Sequence, residues 1–241
     1  MKKFLCGILC ASAGAALAVE STVATIEVRE IDSKALNTIV AIPGLDLDGN
    51  DLAISNLVKT TKNLSDGDKL MVYHDQRYKT WELENGHWAE TTDIFKSGDG
   101  VESATTGTPA SDFRMKVGSG IWLSRNDSET NTPFYVYALR PDSMTSTIPA
   151  GKTMLVGNPT TTTKAFSFSG CANGDKIYLP LLNRTPEEYT FDGTKEKWFR
   201  FSVSNGTISR EDMESSPYIG GGVGFWYKST GNSDVTLSWA E

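Results

Sequence analysis

Gly118-Ser-Gly-Ile-Trp-Leu123 is stated twice in this chain, returning near the C-terminus as Gly222-Val-Gly-Phe-Trp-Tyr227. Each copy sets two glycines around one residue and then runs apolar, Trp, apolar. Glycine tolerates backbone angles and close approaches that a Cβ forbids, so the pattern reads as a tight turn feeding a strand. A Trp at the strand's second position is expected to plug a core. Gly118, Gly120 and Trp122, with Gly222, Gly224 and Trp226, are therefore taken as structural anchors of a repeat.

Working outward, four more anchors recur in the same order. Thr38-Ile-Val-Ala-Ile-Pro43 answers to Thr153-Met-Leu-Val-Gly-Asn-Pro159, an apolar strand stopped by Pro. Leu64-Ser-Asp-Gly-Asp-Lys69 answers to Cys171-Ala-Asn-Gly-Asp-Lys176, a turn built on Asp/Asn-Gly that leads into a strand. Thr80-Trp81 matches Thr190-Phe191, with Trp88 and Trp198 seven residues further on. Closing strands follow at 133–139 and 234–239. Five anchors in one order indicate repeats over 36–140 and 150–241, joined by the turn-rich stretch 140–151. Two repeats are too few for a solenoid. The expected fold is all-β, with two tandem β-sandwich or barrel-like modules related by internal duplication. An alternating segment at 19–35 reads as a lead-in strand on the first module. Asp51–Lys62 reads as one short helical turn or a strand. The polar stretch 93–117, rich in Gly, Ser and Thr, reads as a long mobile loop.

The N-terminus has the pattern of an export signal. Lys2 and Lys3 precede an apolar run to Ala18, and Ala16-Leu-Ala18 offers a small-x-small cleavage site, giving a signal peptide over 1–18. The run is short for a membrane span, so the exported chain is expected to carry none. Removing Lys2 and Lys3 takes the net charge from −7 to −9. Nucleic acid and anionic membrane surfaces reward a basic face, so this balance argues against both as partners. Cys6 and Cys10 lie in the leader. Cys171 is left without an intrachain partner and, in the slot of Leu64, is expected to be buried and unreactive.

Chemistry-bearing constellations are sparse. His74 and His87 have no His or Cys at ligand spacing and read as surface side chains, without metal. Asp46-Leu-Asp-Gly-Asn-Asp51 has oxygen-bearing residues around a Gly. However, Gly44 and Ser55 stand where a calcium loop needs acids, so it reads as a turn. No nucleophile elbow or phosphate-cradling loop is present, and no cofactor is expected. Glu82 and Glu84 lie on one face of a strand, as a solvent face would place them, although a carboxylate pair of this kind is what glycoside hydrolysis uses. The recurring aromatics Trp81/Phe191, Trp88/Trp198 and Trp122/Trp226 are assigned to core packing. Gln76, Arg77 and Tyr78 in one hairpin tip, and Asn183 and Arg184 in the other, are the candidate ligand-binding residues, since exposed aromatic and Arg side chains favour docking.

The pattern of Leu155–Pro159, Gly174-Asp175, Trp198 and Gly222–Tyr227 resembles the secreted β-repeat modules of Gram-negative cell-surface and adhesin-like proteins. The resemblance covers nearly all of the exported chain, and its motifs are structural. It implies an exported, non-catalytic protein of the periplasm, outer surface or exterior, with a structural role or one in binding an envelope protein or a glycan. The alternative expectation is a secreted glycoside hydrolase.

Overall fold

The computed structural model describes residues 23–28, 37–46, 48–60, 64–74, 77–96, 100–105, 109–124, 126, 134–139, 144–160, 162–181 and 184–239. The expected signal peptide and cleavage site lie outside these residues. The fold is almost entirely antiparallel β-structure. One six-stranded sheet runs β2 (Asn37–Ala41), β9 (Gly120–Ser124), β4 (Lys69–His74), β5 (Arg77–Glu84), β6 (His87–Lys96), β7 (Gly100–Thr105). The other runs β12 (Thr153–Gly157), β18 (Gly224–Lys228), β14 (Lys176–Leu181), β15 (Arg184–Asp192), β16 (Lys197–Ser204), β17 (Thr207–Asp212). Strand for strand, the two orders coincide.

Smaller sheets accompany each large one. β1 (Val23–Val28) pairs with β10 (Phe134–Leu139), as β11 (Met144–Ile148) pairs with β19 (Val235–Trp239). β13 (Ser167–Ser169) adds to the other edge of β19, and β3 (Leu52–Ala53) pairs with β8 (Arg114–Met115). Two segments differ from their sequence reading. The stretch 140–151, read as a joint, contains β11, whose Met144, Ser146 and Ile148 turn inward while Thr145 and Thr147 face out. The stretch 93–117, read as a loop, holds the end of β6, all of β7 and β8, because alternation can be built from Ser, Thr and Glu as well as from apolar residues. At 51–62 both options occur: β3 runs straight into the short helix α1 (Ile54–Thr60).

Each large sheet turns one face to its own core. Leu70, Val72, Trp81, Leu83, Ile121 and Leu123 pack with Leu52, Ile54 and Met115 in the first half. Ile177, Phe191, Trp198, Phe225 and Tyr227 pack with Val235, Leu237 and Trp239 in the second. Fully burying an apolar side chain of this size contributes about 1.5–3 kcal/mol, so these clusters carry the stability. Trp122 and Trp226 belong to neither. In β9 and β18 it is their neighbours that enter the core, which sends both indoles to the opposite face, where they are half-buried. The expectation that they plug the cores is corrected.

The pairing of Trp81 with Phe191 is also corrected. Leu83 stands opposite Trp88 as Phe191 stands opposite Trp198, whereas Trp81 and Tyr189 stand opposite Leu70 and Ile177. The equal spacing to the next Trp conceals a two-residue offset. The β5–β6 turn is Asn85-Gly86, both at positive φ (50° and 77°), a two-residue hairpin of the favoured primed kind. The β15–β16 turn takes four residues, 193–196.

Two buried carboxylates tie the turns to the sheets. Asp68 accepts hydrogen bonds from the N–H groups of Ser65 and Asn126. Asp175 accepts from the N–H groups of Ala172 and Thr230 and from the hydroxyls of Thr230 and Tyr227. Beside this cluster, Cys171 is half-buried against the second core, its Sγ 3.1 Å from the Tyr227 hydroxyl. Burial pushes its thiol up to about 12, with the Tyr227 hydrogen bond acting in the other direction. A thiol raised in the native state stabilises fully below its unfolded value. That stabilisation is lost as pH climbs from the ordinary thiol range towards 12. In a Cys6→Ser/Cys10→Ser background, maleimide at pH 8 should label the native protein far more slowly than the urea-unfolded chain; equal rates would contradict this.

Candidate functional site

The site is built by the way the two halves meet. Ala41 N–H donates to Gly222 O and Gly157 N–H donates to Gly118 O, each at 2.9 Å. Isolated bridges join Val40 to Val223 and Ser119 to Val156. These contacts are reciprocal: each half offers its first sheet strand to the Gly-x-Gly turn of the other, as in a two-fold interface. The glycine motif follows from this. Gly118 and Gly222 take positive φ (75° and 71°), the conformation that glycine adopts without strain. Gly120 and Gly224 are small because the opposite half lies on them. A Cβ on Gly120 would stand 2.6 Å from Leu155 Cγ, and one on Gly224 would collide with Ile39 Cγ2.

Aromatic rings gather on the faces that meet. Tyr73 lies edge-on to Trp226 at 4.9 Å between centroids. Tyr78 stands edge-on to Tyr73 (5.4 Å), to Trp226 (6.0 Å) and to Trp122 (6.3 Å). Tyr78 is 44% exposed, so the cluster presents one open ring. Partial burial, and then Tyr73, raise its phenol above the usual tyrosine range, and it stays a neutral hydroxyl at neutral pH.

Next to this cluster, past the Ser119–Val156 bridge, a cleft of about 790 Å³ opens between residues 113–120 and the strands β11 and β12. Tyr73 and His74 reach it from β4. Its walls combine Phe113, Val117 and Met154 with the hydroxyl residues Thr145, Ser146, Thr147 and Thr153. Arg114, Lys116 and Lys152 supply cationic side chains, and among the described lining residues there is no Asp or Glu. Arg114 is partly committed, donating to Asp51 O at 2.7 Å and pairing with Asp46 at 3.4 Å. Asp46 is in turn occupied by the N–H groups of Asn50 and Asp48, which with Arg114 hold its carboxyl below the usual range. The Asp46–Asp51 stretch is thus a turn closed on its own carboxylate. Among the described residues no group of three or more His, Cys, Asp and Glu is gathered to hold a metal ion.

The sequence candidates distribute unevenly. Arg77 and Tyr78 open β5 across from His74 and Tyr73, both exposed. Arg184 opens β15 opposite Leu181. Gln76 and Asn183 lie outside the described residues. The structure brings Tyr78 together with Trp122 and Trp226, which the sequence reading had kept apart as tip and core. Glu82 pairs with Lys69 at 3.4 Å on the same outer face, and Glu84 is exposed. Lys116 and Lys152 were missed. Lys116 stands two residues before Gly118, but nothing local shows that Lys152 shares its cleft.

No helix of the described residues is long and apolar enough to cross a membrane. Comparisons with protein-family models, with curated proteins and with solved structures find no match.

Proposed function

We propose that this chain is an exported envelope or cell-surface binding protein that holds a glycan at the junction of its two halves. The observation that carries the reading is the cleft of about 790 Å³ lined by Tyr73, whose ring also packs edge-on against the partly open Tyr78 and against Trp226. Its volume falls in the range of about 300–1,000 Å³ usual for ligand sites, and its walls mix apolar surface with a few polar groups. Hydroxyl side chains can exchange hydrogen bonds with sugar hydroxyls, and an open tyrosine ring offers a flat apolar surface at small entropic cost. Two halves meeting at a cleft also suit binding, since ligand sites favour such interfaces.

Glycan-array binding by the purified protein tests the reading, with Tyr78→Ala as the discriminating variant. Binding should weaken by about tenfold, the scale of an interface anchor. The melting temperature should fall by only a few degrees, because Tyr78 is 44% exposed and loses chiefly its edge contacts to Tyr73, Trp122 and Trp226. Undiminished binding by the variant would remove Tyr78 from the site. Release of reducing ends by the native protein would identify a hydrolase instead.

A further inference from the structure

We infer that the ligand of the junction cleft is anionic, and that it is a saccharide carrying carboxylates, of the uronic-acid type. This rests on the binding reading given above and narrows its ligand. The chain carries 30 acidic and 23 basic residues, yet the described walls of its cleft hold cations and no acid. Such a local reversal of sign has a physical consequence: a cleft with low-dielectric walls focuses the field of its charges and concentrates counter-ions of the opposite sign.

Two of those cations remain available. Lys69, Lys79, Lys176 and Lys195 are each paired with an acidic side chain. Lys116 and Lys152 are exposed and have no such pair among the described residues. They also come from different walls, Lys116 from the first half beside the Gly118 turn and Lys152 from the second half just before β12. Charges on separate walls do not converge into the fork that a single dense dianion rewards. They suit charge distributed along a chain, one carboxylate per sugar, with Thr145, Thr147 and Thr153 available for the hydroxyls between.

The test compares trigalacturonate with its fully methyl-esterified form, the same sugars without the charge. Binding to the native protein is followed by tryptophan fluorescence and calorimetry. The acid should bind about tenfold more tightly than the ester at low salt, from two ion pairs each giving up to roughly fivefold. Raising NaCl from about 20 mM to about 300 mM should shrink the difference. Lys116→Gln/Lys152→Gln should lower affinity for the acid to that for the ester, leave the ester unchanged, and melt as the native protein does. Equal affinity of the native protein for acid and ester, or a double variant that keeps the preference, would overturn the inference while leaving the binding reading standing. Binding of neither form, together with an empty glycan array, would remove both.

Discussion

Replacing Trp198 by Ala is expected to cost about 3–5 kcal/mol, the usual loss for truncating a buried aromatic, and to lower the melting temperature by roughly 10 °C. Trp198 is 1% exposed, with Phe191 at 5.3 Å and Phe168 and Tyr227 at 6.0 Å between ring centroids. Residues of β15, β18 and the short β13 all pack on it, so no one of these strands can move in to fill the hole. Trp226→Ala should cost only about 2 kcal/mol, because that indole is half-buried and loses chiefly its edge contacts to Tyr73 and Tyr78. Trp198→Phe separates shape from chemistry. Among the described residues the indole Nε1 has no hydrogen-bond partner, so a smaller ring loses volume alone and should cost well under the loss for Trp198→Ala. Urea denaturation of the three variants checks the order. A Trp226→Ala loss equal to that of Trp198→Ala would mean that the junction, and not the core, holds the second half together.

Asp175→Asn is the second large effect, about 3 kcal/mol. Four donors converge on the carboxylate, at 2.7–3.0 Å: the N–H groups of Ala172 and Thr230 and the hydroxyls of Thr230 and Tyr227. An amide has the same shape but one acceptor oxygen. Its NH₂ must face two of those donors, and each buried donor left without an acceptor costs about 1–3 kcal/mol. The damage should reach the strand ends as well as the turn, because Phe191 N–H donates to Asp175 O and Thr230 follows β18. Hydrogen exchange should therefore quicken at Ala172 and Thr230 before it does at Phe225. Asp68→Asn, facing Ser65 and Asn126, should destabilise in the same direction. A midpoint unchanged in Asp175→Asn would show that the carboxylate is dispensable.

Much of the fold is legible in the chain because its determinants are local. The Asn85-Gly86 turn is specified by two adjacent residues able to take positive φ, and the strands beside it by period-two alternation. The Asp-Gly-Asp and Asn-Gly-Asp anchors mark real corners, since each sets its last residue, Asp68 or Asp175, beside the corresponding strand ends. The two large sheets share one strand order, although the Thr80-Trp81 and Thr190-Phe191 anchor is offset by two residues between them.

What the sequence by itself determined is therefore the strands, their turns and the class of fold. Tertiary structure alone decided which side of β9 and β18 faces inward. Both faces of those strands are covered, one by the core and one by the opposite half, so Ile-Trp-Leu and Phe-Trp-Tyr read as unbroken apolar runs and alternation says nothing. Tertiary structure also decided why Gly120 and Gly224 are glycines, since the atoms that exclude a Cβ belong to Leu155 and Ile39, far away in the chain. The same holds for the cleft. Lys116 and Lys152 are unremarkable as neighbours in sequence, and only the reciprocal docking of the two halves places them in one field, because charge acts through space and the chain records only order.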